Sequence, residues 1–302
     1  VCEGCAVTRP LRIGFIGAGN MGRPMIRHLT AAGYPVRVSV RRPEAGAFVE
    51  AMGAVAVGTP AEAAVDADVV MTNVTSTADV EEVLFGEQGV VETAPRGCMC
   101  IDFSTISPLA TRDIAARLEA SGRSALDAPV SGGLKGAEAA TLSIMVGGRE
   151  EVFARALPLL QRLGRVVTHL GPSGAGQVAK ACNQIVQVIN IEGIAEAMRF
   201  ARALGGDPER ILPAIAAGMA GSKMLDLMGP RMAQRDFAAG IEARLHAKDF
   251  ALIADAARAA GLQLPALAVV EAQLARLMEL GWGRDDTSSL LRVLETSPVH
   301  GK

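Results

Sequence analysis

Aromatic side chains and long apolar runs are scarce in this chain of 302 residues. Only 3% of its residues are aromatic although 50% are hydrophobic, so we expect a core of aliphatic side chains and methionine. No uninterrupted apolar stretch reaches the roughly 18 residues that a membrane-spanning helix needs. The first residues also lack the basic and apolar regions of a signal peptide. These absences predict a cytoplasmic protein that does not bind a membrane.

Acidic and basic residues are nearly equal in number. The formal net charge is −2, and no run of lysine and arginine forms the basic patch with which proteins bind nucleic acids. A chain of 302 residues is long enough for two domains and a sizeable core. We therefore expect a two-domain globular protein whose partners are small molecules.

Cysteine is present at five positions, an odd number that does not suggest a disulfide framework. Cys2 and Cys5 form a C-x-x-C pair, which could bind a metal or cycle between redox states. Because this pair stands in a terminal tail without a second pair, we predict no metal site there. Cys98 and Cys100 alternate along a predicted strand, so both are expected to face the core.

Glycine is abundant, with 33 residues, and it separates short apolar runs from helical patterns. The runs predicted as strands are Leu11–Ile16, Val36–Val40, Ala67–Asn73, Cys98–Phe103, Ala125–Ala128, Ser143–Val146 and 165–169. The predicted helices are Asn20–Ala32, one opening at Pro43, Pro108–Ala120 and 150–163. Repeated strand–helix units of this kind indicate an α/β fold with a Rossmann-like, doubly wound parallel sheet, over residues 11–172.

The pattern changes after Gly171, since helical periodicity continues without a convincing strand. The predicted helices are 177–204, 208–218, 222–233, 244–260, 265–280 and 286–295, with joins at Gly205-Gly206, Gly229-Pro230 and Gly261 to Pro265. Residues 173–296 are therefore predicted to form an all-helical C-terminal domain. We expect the long helix 177–204 to be shared by both domains and the active cleft to lie between them.

A glycine-rich loop follows the first predicted strand and precedes the first predicted helix. It reads Gly17, Ala18, Gly19, Asn20, Met21 and Gly22. In such a loop the first glycine allows a tight turn, the second lets a pyrophosphate approach the backbone, and the third lets helix and strand pack closely. The phosphates lie at the N-terminus of the helix. The loop therefore predicts binding of a dinucleotide cofactor.

The end of the second predicted strand favours NADP over NAD. Proteins that bind NAD usually place an acidic residue there, whereas this chain has Val40, Arg41 and Arg42. Glu44 follows Pro43 and is expected in the first turn of the next helix, where acidic residues are favoured. Arginine can bind a 2′-phosphate with two hydrogen bonds. The alternative is a pair of solvated surface arginines, and NAD stays possible.

Lys180 and Asn183 follow the glycine-spaced turn Gly174-Ala175-Gly176. We predict Lys180 in the first turn of the long helix, where the partial positive charge of the N-terminus disfavours an ammonium ion. The spacing i, i+3 places the two side chains on one face. A lysine whose pKa is lowered in this way can donate a proton near neutral pH. These residues suggest a dehydrogenase acting on a small carbonyl compound.

Five ordered motifs make this chain resemble the β-hydroxyacid dehydrogenases, which include 3-hydroxyisobutyrate dehydrogenases and tartronate semialdehyde reductases. The resemblance extends from Arg12 to about Leu294. The motifs are Gly14–Gly22, Asp102–Thr105, Asp127–Gly133, Gly174–Gln184 and Lys248-Asp249. The segments Gly218–Ser222, Leu245–Asp249 and Gln263–Pro265 are most similar to the tartronate semialdehyde reductase branch.

The resemblance implies a role for each matching position. Lys180 corresponds to the catalytic lysine that protonates the carbonyl oxygen, and Asn183 to the residue that holds substrate and orients that lysine. The positions that would bind the substrate carboxylate are Ser131, Gly132 and Gly133. The positions that would contact the cofactor near its nicotinamide end are Val74, Thr75, Thr105 and Lys248. Without the family, Lys248-Asp249 could equally be an exposed helical pair.

Three positions depart from the family pattern. Ala140 stands where glycine is usual before Thr141, Thr75 replaces a frequent proline, and Val40 stands where related reductases carry an acid. The resemblance implies a homodimer or homotetramer and a small carboxylate substrate. The competing functions are a 3-hydroxyisobutyrate or other 3-hydroxy acid dehydrogenase, an imine reductase, which generally lacks the lysine, and an NADP-binding scaffold without turnover.

Overall fold

The structure is a computed structural model and describes residues 9–41 and 44–296. The chain forms two compact units, one with the residues up to 180 and one with the residues from 181 onward. The predicted Cys2–Cys5 pair, the helix start at Pro43 and the predicted cofactor contact Arg42 lie outside the described residues.

The first unit contains a sheet whose six N-terminal strands are all parallel. These strands are β1 (Ile13–Ile16), β2 (Val36–Ser39), β3 (Val55–Val57), β4 (Val69–Thr72), β5 (Met99–Asp102) and β6 (Ser124–Asp127). They are followed by β7 (Val130–Ser131), β8 (Leu142–Gly148) and β9 (Gly164–His169). The strand order is β3-β2-β1-β4-β5-β6-β8-β7, and β9 pairs with β8.

The predicted doubly wound fold is confirmed, with one change in the direction of its later strands. β8 runs antiparallel to β6 and β7, and only its pairing with β9 is parallel. The central strands β1 and β4 are buried along their whole length. Because both faces of these strands are buried, their sequences are continuous apolar runs and do not alternate between apolar and polar residues.

Helices cover the strands of the first unit. They are α1 (Gly22–Ala31), α2 (Glu44–Ala51), α3 (Pro60–Ala64), α4 (Thr77–Phe85), α5 (Val90–Thr93), α6 (Pro108–Ala120), α7 (Gly133–Glu138) and α8 (Glu150–Leu160). Cys98 and Cys100 are buried in an apolar cluster with Val70 and Leu118, as predicted. Glu44 lies in the first turn of α2, also as predicted.

The named elements among the described residues of the second unit are all helical. Helix α9 (Ala175–Ala203) begins among the residues of the first unit and ends among those of the second. It is followed by α10 (Pro208–Ala216), α11 (Lys223–Gln234), α12 (Ala243–Ala259), α13 (Pro265–Glu279), the 3-10 turn Thr287–Ser289 and α14 (Leu290–Glu295). None of the described helices is long and apolar enough to cross a membrane.

The predicted join at Gly229-Pro230 is wrong, because α11 continues through both residues. Gly229 contributes to packing there rather than to a turn. A Cβ atom on Gly229 would lie 2.6 Å from Cδ2 of Leu212, a residue of α10. The missing side chain therefore allows α10 and α11 to approach each other closely.

Candidate active site

The carboxyl ends of the parallel strands lie at one edge of the sheet in the first unit. Ile16 is the register partner of Thr72, Thr72 of Asp102, and Asp102 of Asp127. Each of these residues ends its strand, so the loops that follow leave the sheet side by side. In open α/β sheets this edge is where ligands bind.

The glycine-rich loop after β1 has the geometry that a phosphate cradle requires. Gly17 adopts φ 106°, and a Cβ atom there would lie 2.1 Å from the carbonyl oxygen of Asn73. A Cβ atom on Gly22 would lie 2.0 Å from the Gly17 oxygen, so the third glycine lets α1 start against the loop. Gly19 has open space where its side chain would be. A pyrophosphate could therefore approach the backbone at Gly19.

The other loop residues divide between the core and the solvent. Ala18 and Met21 pack against the main apolar core, whereas Asn20 is exposed. After β2, Val40 donates its N–H to the carbonyl oxygen of Val57, and Arg41 is exposed. The guanidinium of Arg41 is thus available to a ligand at the end of this strand.

The loops after β4 and β5 are connected by hydrogen bonds around Ser104. The N–H of Val74 donates to Ser104 Oγ at 2.9 Å, and the N–H of Ser104 donates to Asp102 Oδ1 at 3.1 Å. Thr72 also donates to Asp102 Oδ1, at 2.7 Å. Burial raises the pKa of the Asp102 carboxyl, against the opposing effect of these hydrogen bonds. The structure therefore holds Val74 beside the loop that carries the predicted cofactor contact Thr105.

The predicted substrate loop lies at the junction of a short strand and a short helix. Ser131 ends β7, Gly132 has φ 132°, and Gly133 has φ 60° with open space where a Cβ atom would be. Neither glycine carries a side chain that would obstruct an anion at the backbone of this turn. Ala140, the departure from glycine, also adopts a positive φ of 52°, which is strained for a residue with a Cβ atom.

Lys180 lies close to this loop, with only 8% of its surface exposed. Its Nζ donates a hydrogen bond of 2.9 Å to the carbonyl oxygen of Val130, the residue before Ser131. The predicted position in the first helical turn is wrong, because α9 begins at Ala175 and Lys180 lies in its second turn. The effect of the helix dipole falls off within the first turn, so the dipole acts only weakly on the Lys180 amine.

Asp127 caps the start of α9 from another part of the chain. Its Oδ1 accepts the N–H of Gly174 at 2.7 Å, and its Oδ2 accepts the N–H of Gln177 at 3.0 Å. Burial raises the pKa of this carboxyl, and the backbone hydrogen bonds partly offset that effect. A Cβ atom on Gly176 would lie 2.3 Å from the carbonyl oxygen of Met145. The glycine-spaced turn is thus needed for α9 to start against β8.

Two protein-family models match successive parts of the chain. Residues 12–171 match the family described as the NAD binding domain of 6-phosphogluconate dehydrogenase. Residues 174–294 match the family described as NAD-binding of NADP-dependent 3-hydroxyisobutyrate dehydrogenase. The chain is 40% identical to 2-hydroxy-3-oxopropionate reductase of Escherichia coli K12, over 96% of this chain and 99% of that protein. The chain belongs to the β-hydroxyacid dehydrogenase family.

Solved structures agree with membership of the β-hydroxyacid dehydrogenases. The 3-hydroxyisobutyrate dehydrogenase of Mycobacterium tuberculosis, solved with L-serine, has a TM-score of 0.87 and 34% identity. The match covers 94% of this chain and 99% of that one. An imine reductase of Myxococcus stipitatus has a TM-score of 0.65 at 20% identity, over 94% and 99% of the two chains, and is similar in fold alone.

In the second unit of this β-hydroxyacid dehydrogenase, Asn183 and Lys248 belong to one hydrogen-bonding network. Asn183 Nδ2 donates to Gln184 Oε1 at 2.8 Å, and Gln184 Nε2 donates to Asp249 Oδ2 at 2.7 Å. Lys248 Nζ lies 3.1 Å from Asp249 Oδ1. Lys248 is therefore part of an ion pair on α12, and Asn183 is joined to the same carboxylate through Gln184.

Sequence reasoning missed several polar residues of this network. His246 is buried, and its Nδ1 lies 2.7 Å from Thr287 Oγ1. Gln187 Nε2 lies 3.4 Å from His246 Nε2, and Gln187 also accepts from Asn183 at 3.3 Å. A lone histidine in a sequence is more often structural than functional, so His246 carried no signal by itself. The available signal was the spacing of Asn183, Gln184 and Gln187, which places amides on neighbouring turns of α9.

Proposed function

We propose that this β-hydroxyacid dehydrogenase reduces a small semialdehyde or oxo acid to a hydroxy acid with NADPH, and that Lys180 is the general acid. Tartronate semialdehyde, reduced to glycerate, is the proposed substrate. The observation that carries the proposal is the buried amine of Lys180, held 2.9 Å from the Val130 carbonyl oxygen beside Ser131. A positioned proton donor of this kind typically contributes about 10²–10⁴-fold to a rate.

The proposed mechanism assigns the proton transfer to this chain. When bound, a reduced nicotinamide supplies a hydride to the carbonyl carbon, so that negative charge develops on the carbonyl oxygen. Lys180 would donate a proton from Nζ to that oxygen and so complete the alcohol. The hydrogen bond to Val130 fixes where Nζ lies before the substrate arrives, and burial strengthens its interaction with the developing charge.

The substrate carboxylate is proposed to bind at Ser131, Gly132 and Gly133. The support is the pair of left-handed residues at 132 and 133, together with the open space at Gly133. This loop directly follows Val130, the hydrogen-bond acceptor of Lys180. An acid whose carbonyl group lies one or two carbons from its carboxylate would reach both groups. Asn183 is proposed to hold the other end of the substrate, as the family resemblance implies.

The cofactor is proposed to lie along the carboxyl edge of the parallel strands. Its pyrophosphate would bind at Gly17–Gly22, and its nicotinamide end would lie near Val74, Thr75 and Thr105, with Lys248 as a further contact. The preference for NADP rests on the exposed Arg41 after β2 and on the lack of an acidic residue at the end of that strand. Arg42 is proposed as the second phosphate ligand.

We assign residues 11–172 to the NADP-binding domain and 173–296 to a substrate and oligomerisation domain.

A second copy of the chain is the proposed macromolecular partner. One face of α9 exposes Val186 and Phe200, with 62% and 67% of their surfaces accessible, and Leu204, directly after the helix, is 72% accessible. A homodimer, or a homotetramer built from it, would bury this face.

Gly193 supports a two-fold pairing of α9 with its own copy. It lies in the middle of this exposed face, and a Cβ atom there would meet nothing within 4 Å. Glycine inside a helix costs about 1 kcal/mol relative to alanine, and no contact among the described residues requires it. In an antiparallel pair that crosses at Gly193, Phe200 of one copy would face Val186 of the other.

The proposed function is tested by measuring NADPH and NADH oxidation with a panel of carbonyl and imine compounds. The panel contains tartronate semialdehyde, the semialdehyde related to 3-hydroxyisobutyrate, and a cyclic imine, each with the wild type and with Lys180→Ala. We expect the highest kcat/KM with tartronate semialdehyde and NADPH, and no reduction of the imine. Tight NADPH binding without turnover of any compound would refute the proposal in favour of a scaffold.

A further inference from the structure

Gln177 connects the start of α9 to the loop after β5. Only 1% of its surface is exposed. Its Nε2 donates to the carbonyl oxygen of Ser104 at 2.7 Å, and its Oε1 accepts the N–H of Ile106 at 3.2 Å. These two backbone groups lie on either side of Thr105. The amide therefore holds the peptide segment that carries a proposed cofactor contact.

The backbone of Gln177 is held as well. Its N–H donates to Asp127 Oδ2 at 3.0 Å, and the other oxygen of Asp127 accepts from Gly174 at 2.7 Å. Asp127 is buried and ends β6, three residues before Val130. The first turn of α9 is thus joined to the end of β6 by its backbone and to the loop after β5 by a side chain.

Lys180 follows Gln177 by three residues on α9, so the two lie on the same face in successive turns. The Lys180 amine binds the carbonyl group of Val130, beyond the end of β6. Hydrogen bonds therefore connect three segments of the chain, which are the loop of Thr105, the start of α9 and the segment before Ser131. Each of these bonds involves Gln177, Asp127 or Lys180. All of these contacts lie within the first unit.

We infer that Gln177 is a positioning residue, which sets the place of the Lys180 amine relative to the loop that carries Thr105. This inference rests on the proposed function, in which Lys180 protonates the substrate and Thr105 contacts the cofactor. An amide is suited to this place because it offers a donor to one backbone group and an acceptor to another. An ionised glutamate or an apolar methionine at this position could not supply both.

We expect the loss of this amide to lower kcat. A displacement of about 1 Å at a reacting group can reduce a rate by about 10²-fold. Gln177→Met keeps the length and much of the volume of the side chain while it removes both hydrogen bonds. We expect kcat to fall by about 10–100-fold, with KM for the carboxylate substrate changed by less than about threefold.

A double-mutant cycle with Lys180→Ala separates positioning from general destabilisation. If Gln177 acts through Lys180, Gln177→Met reduces kcat by less than about threefold in the Lys180→Ala background, because the proton donor is already absent. Val188→Ala is the structural control, since Val188 is a buried core residue on the same helix. It should lower the melting temperature and change kcat by the same factor in both backgrounds.

The outcomes distinguish the inference from the proposed function. An equal loss from Gln177→Met in both backgrounds would show a structural role and overturn the inference. Full activity of Gln177→Met beside a large loss in Lys180→Ala would overturn the inference and leave the proposed function intact. Undiminished kcat in Lys180→Ala would overturn both.

Discussion

The side-chain amine of Lys180 donates a 2.9 Å hydrogen bond to the main-chain carbonyl of Val130, the residue that precedes Ser131. This single contact joins the proposed proton donor to the proposed carboxylate-binding loop. The contact depends on long-range structure, since Lys180 is on α9 and Val130 is on a strand fifty residues earlier. Asp127 ends β6 three residues before Val130, and it caps α9, the helix that carries Lys180.

Lys180→Ala tests the proton donor directly. We expect kcat to fall by about 10²–10⁴-fold with an unchanged melting temperature, because the side chain supplies a proton in the transition state. The measurement is steady-state NADPH oxidation together with thermal unfolding. Lys223→Ala serves as the control, since Lys223 is an exposed lysine at the start of α11. A kcat equal to that of the wild type would contradict the assignment.

Ser131→Ala tests the carboxylate-binding loop. The change removes one hydroxyl group and leaves the left-handed residues Gly132 and Gly133 in place. We expect KM for carboxylate substrates to rise by about 10-fold, as for a lost hydrogen bond to a charged group, with a smaller effect on kcat. Ser143→Ala is the matched control, because Ser143 is the register partner of Ser131 on β8. Unaltered KM in Ser131→Ala would remove the hydroxyl from substrate binding.

The strands that form the ligand-binding edge could be predicted because they are buried on both faces and end at glycine or polar residues. β1 and β4 are examples, since every residue of each is buried. The edge strand β3 was missed because it has three residues and Val55 is exposed. A strand this short leaves no periodicity to detect.

The start of α9 shows why local patterns place a helix end poorly. The helix begins at Ala175, two residues before the predicted position. No local Ser, Thr, Asp or Asn side chain in the helix marks this start, because the cap is Asp127 from the end of β6. The bond between Gln184 and Asp249 was likewise not predictable, since sixty-five residues separate the two.

Arg41→Ala tests the preference for NADP. Arginine binds a phosphate with charge-assisted hydrogen bonds, so its loss should raise KM for NADPH by about 10–100-fold and leave KM for NADH nearly unchanged. Arg37→Ala is the matched control, because Arg37 lies on β2, the strand that precedes Arg41, and donates to the carbonyl oxygen of Val65. Equal changes in both cofactors would contradict a phosphate-binding role.

Phe200→Glu tests the proposed pairing through α9. Phe200 has 67% of its surface exposed in the single chain, and a carboxylate there would have to be buried without a partner in the dimer. We expect the variant to become monomeric in multi-angle light scattering. Val269→Glu places the same charge on an exposed apolar position of α13 and should leave the assembly unchanged. A Phe200→Glu dimer would show that the interface lies elsewhere.

Glu192→Gln tests how a buried carboxyl makes stability depend on pH. Glu192 has 5% of its surface exposed, and neither carboxyl oxygen has a hydrogen-bond partner among the described residues. Burial, and to a smaller extent the charge of Glu196, raises its pKa from 4.5 to about 7. Folding therefore favours the protonated form of this group, and its ionisation opposes folding.

The sign of the effect follows from the raised pKa. The contribution of protonated Glu192 to stability is complete below pH 4.5 and is lost as the pH rises through about 7. The glutamine side chain does not titrate, so Glu192→Gln should raise the melting temperature at a pH of about 8, by a stabilisation of about 1–3 kcal/mol, and have little effect at a pH of about 4. Glu196→Gln, which removes only the smaller cause, should give a smaller gain with the same sign. Calorimetric scans that show the same difference between Glu192→Gln and the wild type at both pH values would exclude Glu192 as the titrating group.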